Sequence, residues 1–309
     1  MASRSLSHSS GDFLADRRLS YAQAALAEGD AGAAADLAEQ ALERAPGFVA
    51  ALALLGRARA AQGQRDAAVA VLNRALASTP DDALGLRLDL AHLGALPLEE
   101  AITDEYVRAL FDDYAVRFDR HLVEGLKYRA PELIQAAVSR TCSARLRPFR
   151  FRRLLDLGCG TGLMAKAFLG IADTMVGVDL SPRMLAKAAS TRLYDSLHEG
   201  DLVAFLEVES EGTADLVVAA DVFVYLARLE AAFARVRRVL EPGGLFAFTV
   251  QAHAGEGITL GEDARYAHGE RHLRDLAADT GFGISLFEAV STRQDRGVDV
   301  PGWLVVLDR

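Results

Sequence analysis

The chain has 309 residues, 51% of them hydrophobic and 25% charged, and carries a net charge of −9. That balance suits two domains, or one with an appendage, and supplies enough apolar residues for a sizeable core. The acidic charge argues against a dedicated nucleic-acid binder, the two cysteines make no disulfide framework, no Cys/His spacing suggests zinc, and there is no 18-residue apolar run or signal-peptide core. We therefore expect a cytoplasmic protein with no metal, no nucleic-acid partner and no membrane partner.

Residues 1–14 are rich in Ser with little to bury, and we expect them to be disordered. A period then appears. Gly29 returns as Gly63, Ala41-Leu42 as Ala75-Leu76 and Pro46 as Pro80, each 34 residues on, which is the period of the tetratricopeptide helix-turn-helix unit. Leu52, Leu55, Gly56, Ala68, Leu72, Ala75 and Pro80 stand at that repeat's signature spacing, and the earlier copy keeps Tyr21, Ala22, Ala34, Ala41 and Pro46. Small residues let paired helices approach, the glycines suit the turns, and the prolines stop each second helix. A further helix, Asp82 to Leu93, loses the pattern and suits a cap. Residues 15–97 thus resemble tetratricopeptide repeats in an all-α domain. The resemblance implies a surface for a protein partner; a structural or dimerising appendage is the other reading.

Residues 98–150 read as a helical and linker segment. Apolar residues at 107, 110, 111, 114 and 118 follow helical spacing, and the basic run Arg140 to Arg153 reads as a solvated linker. Residues 151–309 alternate strand and helix. Strands are expected at 153–157, 174–179, 214–221 and 244–251. Helices are expected at 162–170, at 182–193 with Ser181 as N-cap, and at 226–240. Two closing strands, 284–290 and 303–308, flank a connection over 293–301, and Trp303 reads as core. The alternation predicts an α/β doubly wound, mostly parallel Rossmann-like sheet ending in an antiparallel hairpin. In such sheets a ligand lies beyond the carboxyl ends of the strands at the switch point.

The stretch LLDLGCGTG, residues 154–162, sits there. A dinucleotide fingerprint is G-x-G-x-x-G, whereas here Gly158, Gly160 and Gly162 alternate. Asp156, inside the strand end, would repel a pyrophosphate but welcome an ammonium. Asp179, closing the second strand, suits the two hydroxyls of a ribose. Adenosine plus an ammonium describes S-adenosylmethionine.

On these residues the chain resembles a class I S-adenosylmethionine-dependent methyltransferase. Gly158, Gly160 and Gly162 match the first motif, Asp179 the acidic end of the second strand, EGDLVAF (199–205) the adenine-side segment, AADVFVYL (219–226) the fourth motif, and EPGGLFAFTV (241–250) the following turn and strand. The resemblance implies a cofactor site of Asp156, Gly158, Cys159, Gly160, Gly162, Asp179, Leu180, Asp201, Leu202, Asp221 and Tyr114. Asp201 would accept from the adenine amine and Leu202 would lie on the ring, while residues 98–150 would supply a helical lid whose Tyr114 covers the methionine end.

The same resemblance places the acceptor among Phe118, Tyr128, Arg129, Phe223, Tyr225, Arg265 and Tyr266. His268 and His253 are the candidate general bases, with Asp221 orienting the acceptor. Gln251 stands where an acidic residue is expected. The expected reaction is direct displacement of the methyl group onto a small-molecule oxygen or nitrogen nucleophile. A protein or carrier-protein-bound acceptor recruited by the repeats, and a cofactor-binding adaptor without catalysis, are the competing readings; the loop spacing and Asp156 disfavour a nicotinamide-dependent dehydrogenase.

Overall fold

The computed structural model describes residues 9–115 and 126–309. The chain forms two compact units, divided between Leu110 and Phe111. The first begins with α1 (Phe13–Ala27), whose cap, Asp12, accepts the N–H groups of Leu14 and Ala15 at 2.8 and 3.0 Å. Asp12 also pairs with Arg44, and Ser10 is tied to Asp16 by its backbone N–H at 2.7 Å. Residues 9–14 are therefore structured, against the expectation of disorder up to 14, because two carboxylates gather this segment onto the first helix.

Helices α2 (Ala31–Arg44), α3 (Val49–Ala61) and α4 (Arg65–Ser78) follow at the expected period. Gly29 and Gly63 make the turns in the left-handed region, with φ of +89° and +75°. Ala22, Ala34, Ala38, Ala41, Ala51 and Ala58 are buried in one cluster, so the helices approach with almost nothing between their backbones. The closest fit is Gly56 on α3, where a Cβ would lie 2.6 Å from Leu72 Cγ on α4. The capping helix is shorter than Asp82 to Leu93. Asp82 takes φ +52°, and its buried carboxylate accepts the N–H groups of Leu86 and Arg87, so α5 (Leu86–His92) starts only after that turn.

The division between units falls inside α6 (Asp104–Tyr114). The second unit then runs through α7 (Ala130–Ala144), β1 (Phe151–Leu157), α8 (Leu163–Ala167), β2 (Ala172–Asp179) and α9 (Pro182–Thr191), capped by Ser181 as expected. Next come β3 (Ser196–Glu199), α10 (Leu202–Val208), β4 (Ala214–Ala219), α11 (Glu230–Val239) and β5 (Leu240–His253). The chain closes with β6 (Ile258–Leu260), β7 (Tyr266–Gly269), α12 (Glu270–Asp279), β8 (Gly283–Asp295) and β9 (Val298–Asp308).

The sheet order is β3-β2-β1-β4-β5-β7-β6, with β9 antiparallel to both β5 and β8. Strands β1 to β5 are parallel and the order reverses between β1 and β4, which is the switch point the alternation predicts. One core packs Leu155, Leu157 and Val217 against α10 and α11; the other packs Leu154, Leu216 and Val218 against α7 and α8.

Three segments of the second unit differ from expectation. The helix foreseen over 226–240 is shortened to α11, because Leu226 and Leu240 take extended backbone at its two ends. The connection foreseen over 293–301 is mostly strand, because Arg296 and Gly297 take φ of +47° and +80° and make a tight turn. The basic run is no linker. Arg140 pairs with Glu288, Arg145 with Asp308, Arg150 with Asp173, Arg152 with Glu241 and Arg153 with Glu209, while Arg147 reaches the Gly243 carbonyl.

Gly56→Ala should destabilise the helical unit, since overpacking costs about 1–3 kcal/mol and the helix-propensity gain returns only about 1 kcal/mol. In a Leu72→Ala background, itself costing about 2–5 kcal/mol, the same change should become stabilising, because the crowded Cγ is gone. Denaturant unfolding of the wild type, both single variants and the double variant by circular dichroism reads this reversal of sign.

Candidate active site

At the end of β1 the backbone passes through Gly158, Gly160 and Gly162 with φ of +68°, +53° and +93°. Side-chain-bearing residues adopt that region only at a cost. Position 158 is also closed sterically, since a Cβ there would lie 2.4 Å from Val222 Cγ2. At position 162, the cap of α8, a Cβ would meet the Tyr194 ring at 3.3 Å. The glycines at 158 and 162 are thus required by their backbone conformation and by the chain's own neighbours. Cys159 is buried between them, donating its N–H to Val178 O at 2.9 Å with Sγ against Gly177.

Two carboxylates face this loop. Asp179 at the end of β2 accepts the N–H of Gly160 at 2.9 Å through Oδ2 and that of Ser181 at 2.8 Å through Oδ1. Burial pushes its carboxyl up, the two backbone N–H groups oppose that, and the Asp112 charge adds to it. Each oxygen keeps a second lone pair for a ligand hydroxyl. Asp156 is 1% exposed and accepts from the Tyr194 hydroxyl at 2.5 Å. Burial pushes its carboxyl up to about 7; the Tyr194 bond holds it down and the Asp179 charge raises it further.

The last turn of α6 closes over the strand ends within the same unit. Asp112 accepts the Ser181 hydroxyl at 2.5 Å, Arg183 donates to the Asp112 carbonyl at 3.2 Å, and Phe111 meets the Tyr225 ring edge-on at 5.4 Å between centroids. Tyr114 is half-buried on this turn; Phe118 lies outside the described residues. Sequence reasoning named Tyr114 but missed Asp112, whose role comes from meeting Ser181 across the fold.

Beyond β4, Asp221 takes φ +55°, held by Thr249, whose hydroxyl accepts its N–H at 2.9 Å and donates to Oδ1 at 2.7 Å. Its Oδ2 accepts from Thr292 at 2.9 Å and faces Arg293 at 3.4 Å. Arg293, 4% exposed, also donates to Gln251 Oε1 at 2.8 Å and faces Asp263 at 3.5 Å. Gln251, standing in place of an acid, is thus a neutral acceptor for an arginine already paired with carboxylates. Arg265 donates to the Tyr225 hydroxyl at 3.3 Å, lies over that ring and shares Asp263 at 3.6 Å. Burial and then the Asp221 charge push the Tyr128 phenol well up, so it keeps its proton.

Other expected site residues take structural places. His268 is fully buried, its Nε2–H donates to Phe223 O at 3.1 Å, and its Nδ1 has no partner among the described residues. Burial pushes its imidazole down to about 4. A ring that cannot take up a proton without burying a charge is no general base. His253 is also spent, since Gly255 N–H donates to Nδ1 and Nε2–H donates to Gly257 O, both at 3.0 Å. Strand β7 buries both Tyr266 and His268.

Phe223 is likewise core, packed among Phe233, Phe246 and Phe248. Arg129 donates through its N–H to Thr292 O and through Nε to Ser291 O, pinning α7 to β8. Leu202 is buried in the core, Leu180 is half-buried, and Asp201 Oδ1 caps α10 on the Ala204 N–H at 2.8 Å. Trp303 packs on Phe287 and donates to His268 O.

The raised Asp156 carboxyl makes stability depend on pH. In the unfolded chain it ionises near its ordinary 3.8, in the folded chain near about 7. Between these values the folded state holds the extra proton, so this residue makes the protein lose stability as pH rises from about 4 to about 7. Asp156→Asn should flatten that decline in urea midpoints measured across the window, and leave an unchanged slope if the burial is relieved some other way.

Comparison with known proteins agrees with this geometry. Residues 155–248 match the methyltransferase-domain family and residues 25–91 a tetratricopeptide repeat family. A ubiquinone biosynthesis O-methyltransferase of Thiobacillus denitrificans is 31% identical over 109 residues, covering 33% of this chain and 45% of that protein. A malonyl-[acyl-carrier protein] O-methyltransferase of Geobacter sulfurreducens is 38% identical over 104 residues, covering 32% and 38%. The matched stretch spans less than half the length of either relative. Magnesium protoporphyrin IX methyltransferase of Synechocystis, solved with its cofactor, shares the fold at a TM-score of 0.51 and 15% identity over 67% of this chain and 96% of that one. With the sheet order, the glycine loop and both family matches in agreement, the chain carries a methyltransferase domain of the class I fold preceded by tetratricopeptide repeats.

Proposed function

We propose that the chain binds S-adenosylmethionine at the glycine loop and transfers its methyl group to an oxygen nucleophile on a small molecule. One observation carries the reading: at the switch point the left-handed glycine turn gives its Gly160 N–H to Asp179, beside the buried Asp156 near the end of the neighbouring strand. The donor set suits a cation bearing vicinal hydroxyls and not a pyrophosphate, since both side chains facing the loop are carboxylates. Asp179 would take the ribose hydroxyls on its remaining lone pairs, Asp156 the ammonium, and Asp201 Oδ2 the adenine amine. The oxygen acceptor is supported by two curated relatives, both named as O-methyltransferases.

When bound, the cofactor supplies an electrophilic methyl on a sulfonium. The protein's part is to hold the acceptor in line and keep water out, which needs position more than acid–base chemistry. Tyr128 remains protonated at neutral pH and donates to the acceptor. Tyr225, fixed by Phe111 and Arg265, walls the same space. Asp221, held by Thr249, Thr292 and Arg293, orients the acceptor. A carrier-borne acyl group is a second reading, favoured by the repeat unit as a surface for a protein partner and by the relative named for a malonyl carrier protein.

Calorimetric titration of S-adenosylmethionine and S-adenosylhomocysteine into the full chain tests the cofactor. Saturable binding is expected, weakened roughly a hundredfold or more by Asp179→Ala, since two hydrogen bonds to a charged group are worth about 3 kcal/mol or more. Transfer of labelled methyl to phenolic acceptors or to a malonyl carrier protein then separates the two substrate readings. Binding with no transfer to any acceptor would favour a cofactor-binding adaptor, and no binding to a folded, ligand-free chain would overturn the proposal.

A further inference from the structure

We propose that Tyr194, which belongs to none of the cofactor motifs, is a positioning residue for the cofactor: it clamps Asp156 in one rotamer and the glycine loop in one conformation, so that the free carboxylate oxygen meets the ligand's ammonium. The inference rests on the proposed cofactor site. Three observations carry it.

The phenol reaches across the fold from the connection between α9 and β3 to donate to Oδ2 of Asp156 at 2.5 Å, leaving Oδ1 for a ligand. The same ring lies where a side chain at Gly162 would be, 3.3 Å from that virtual Cβ, so one residue braces the strand end and the start of α8 together. Its base is fixed in turn. Asp195 donates its N–H to Met175 O at 2.9 Å and accepts the Met175 N–H at 2.8 Å, fastening the segment that carries Tyr194 to the start of β2. That two-bond clamp fixes the backbone next to the residue from which the phenol extends.

The groups that act on Asp156 are few. Asp179 raises its carboxyl from β2, the Tyr194 hydroxyl lowers it from the α9–β3 connection, and burial is the largest influence. Cys159 in the loop and Tyr128 ahead of α7 are protonated near neutrality, burial pushing both well up. Tyr194 is therefore the group that favours the ionised carboxylate, which is the form an ammonium needs. Removing its hydroxyl leaves the ring packing on the loop but raises the pH at which Asp156 ionises.

The test uses S-adenosylhomocysteine, which carries the same ammonium and ribose, titrated into full-length wild type, Tyr194→Phe and Asp156→Asn from pH 6 to pH 9, about 6 to 9 being the window that brackets neutrality on both sides. The ligand's own amine titrates alike in every experiment, so differences between proteins isolate Asp156. Wild-type affinity should rise with pH through the ionisation of Asp156. Tyr194→Phe should bind roughly tenfold more weakly near neutrality and move the midpoint upward by about one unit, converging on wild type at the alkaline end. Asp156→Asn should be weak at every pH, without that inflection. Carbon-13 titration of the Asp156 carboxyl in the ligand-free proteins should show the same upward move. A folded Tyr194→Phe protein with an unchanged midpoint, or one weakened equally at all pH values, overturns the positioning role while leaving the cofactor site standing. If wild type binds no ligand, the cofactor proposal itself falls and this inference with it.

Discussion

The hydrogen bond from the Gly160 N–H to the Asp179 carboxylate joins the turn after β1 to the end of β2, and most of the candidate site depends on it. It forms only if the backbone at 158–162 runs through the left-handed region, which makes glycine the residue of choice at each alternate position. Once formed, it aims both oxygens of Asp179 at backbone donors and leaves their outer lone pairs toward the crevice. The turn also lets Val222, after β4, pack where a side chain at 158 would stand, so the first, second and fourth strands meet at one point. A parallel sheet opens a crevice where its strand order reverses; here backbone geometry and two carboxylates give that crevice its chemistry.

Charge is handled differently at the rim and in the interior. The arginines between Arg140 and Arg153 pair with acids at the surface, where such pairs contribute little each, about 0–1 kcal/mol. Their effect is cumulative and local, tying α7 and β1 to the hairpin and to the turns between strands. Arg293 is another matter. It is buried against Asp221, with Gln251 and Asp263 also in reach, so its desolvation is offset only by a complete set of partners. That set spans the end of β4, β5, the β6–β7 connection and β8. The closing hairpin is thereby part of the wall of the site.

The helical unit obeys a simpler constraint. Its core is largely alanine, with Gly56 seated against Leu72, so the helices are close and the room for change is small. Small side chains contribute little apolar area apiece; stability there comes from close backbone approach and dispersion across many short contacts. Such packing makes a stiff scaffold whose outer faces are free to vary.

The sequence by itself determined the repeat period, the strand–helix alternation, the glycine turn, Asp156 and Asp179, because these are local: a 34-residue period, a two-residue or helical spacing, or a run of glycines behind an apolar strand. Tertiary structure decided everything that requires two distant segments to meet. Tyr194 reaches Asp156, Asp112 reaches Ser181, and Arg293 reaches Asp221, and no spacing in the chain announces those pairs. It also removed His268 and His253 from the candidate bases and packed Phe223 into the core, by burying them or spending their polar atoms on the backbone. A histidine or an aromatic residue looks the same in a sequence whether it faces a crevice or a core. Only the strand that carries it, and the side of the sheet on which that strand pairs, decide which it will be.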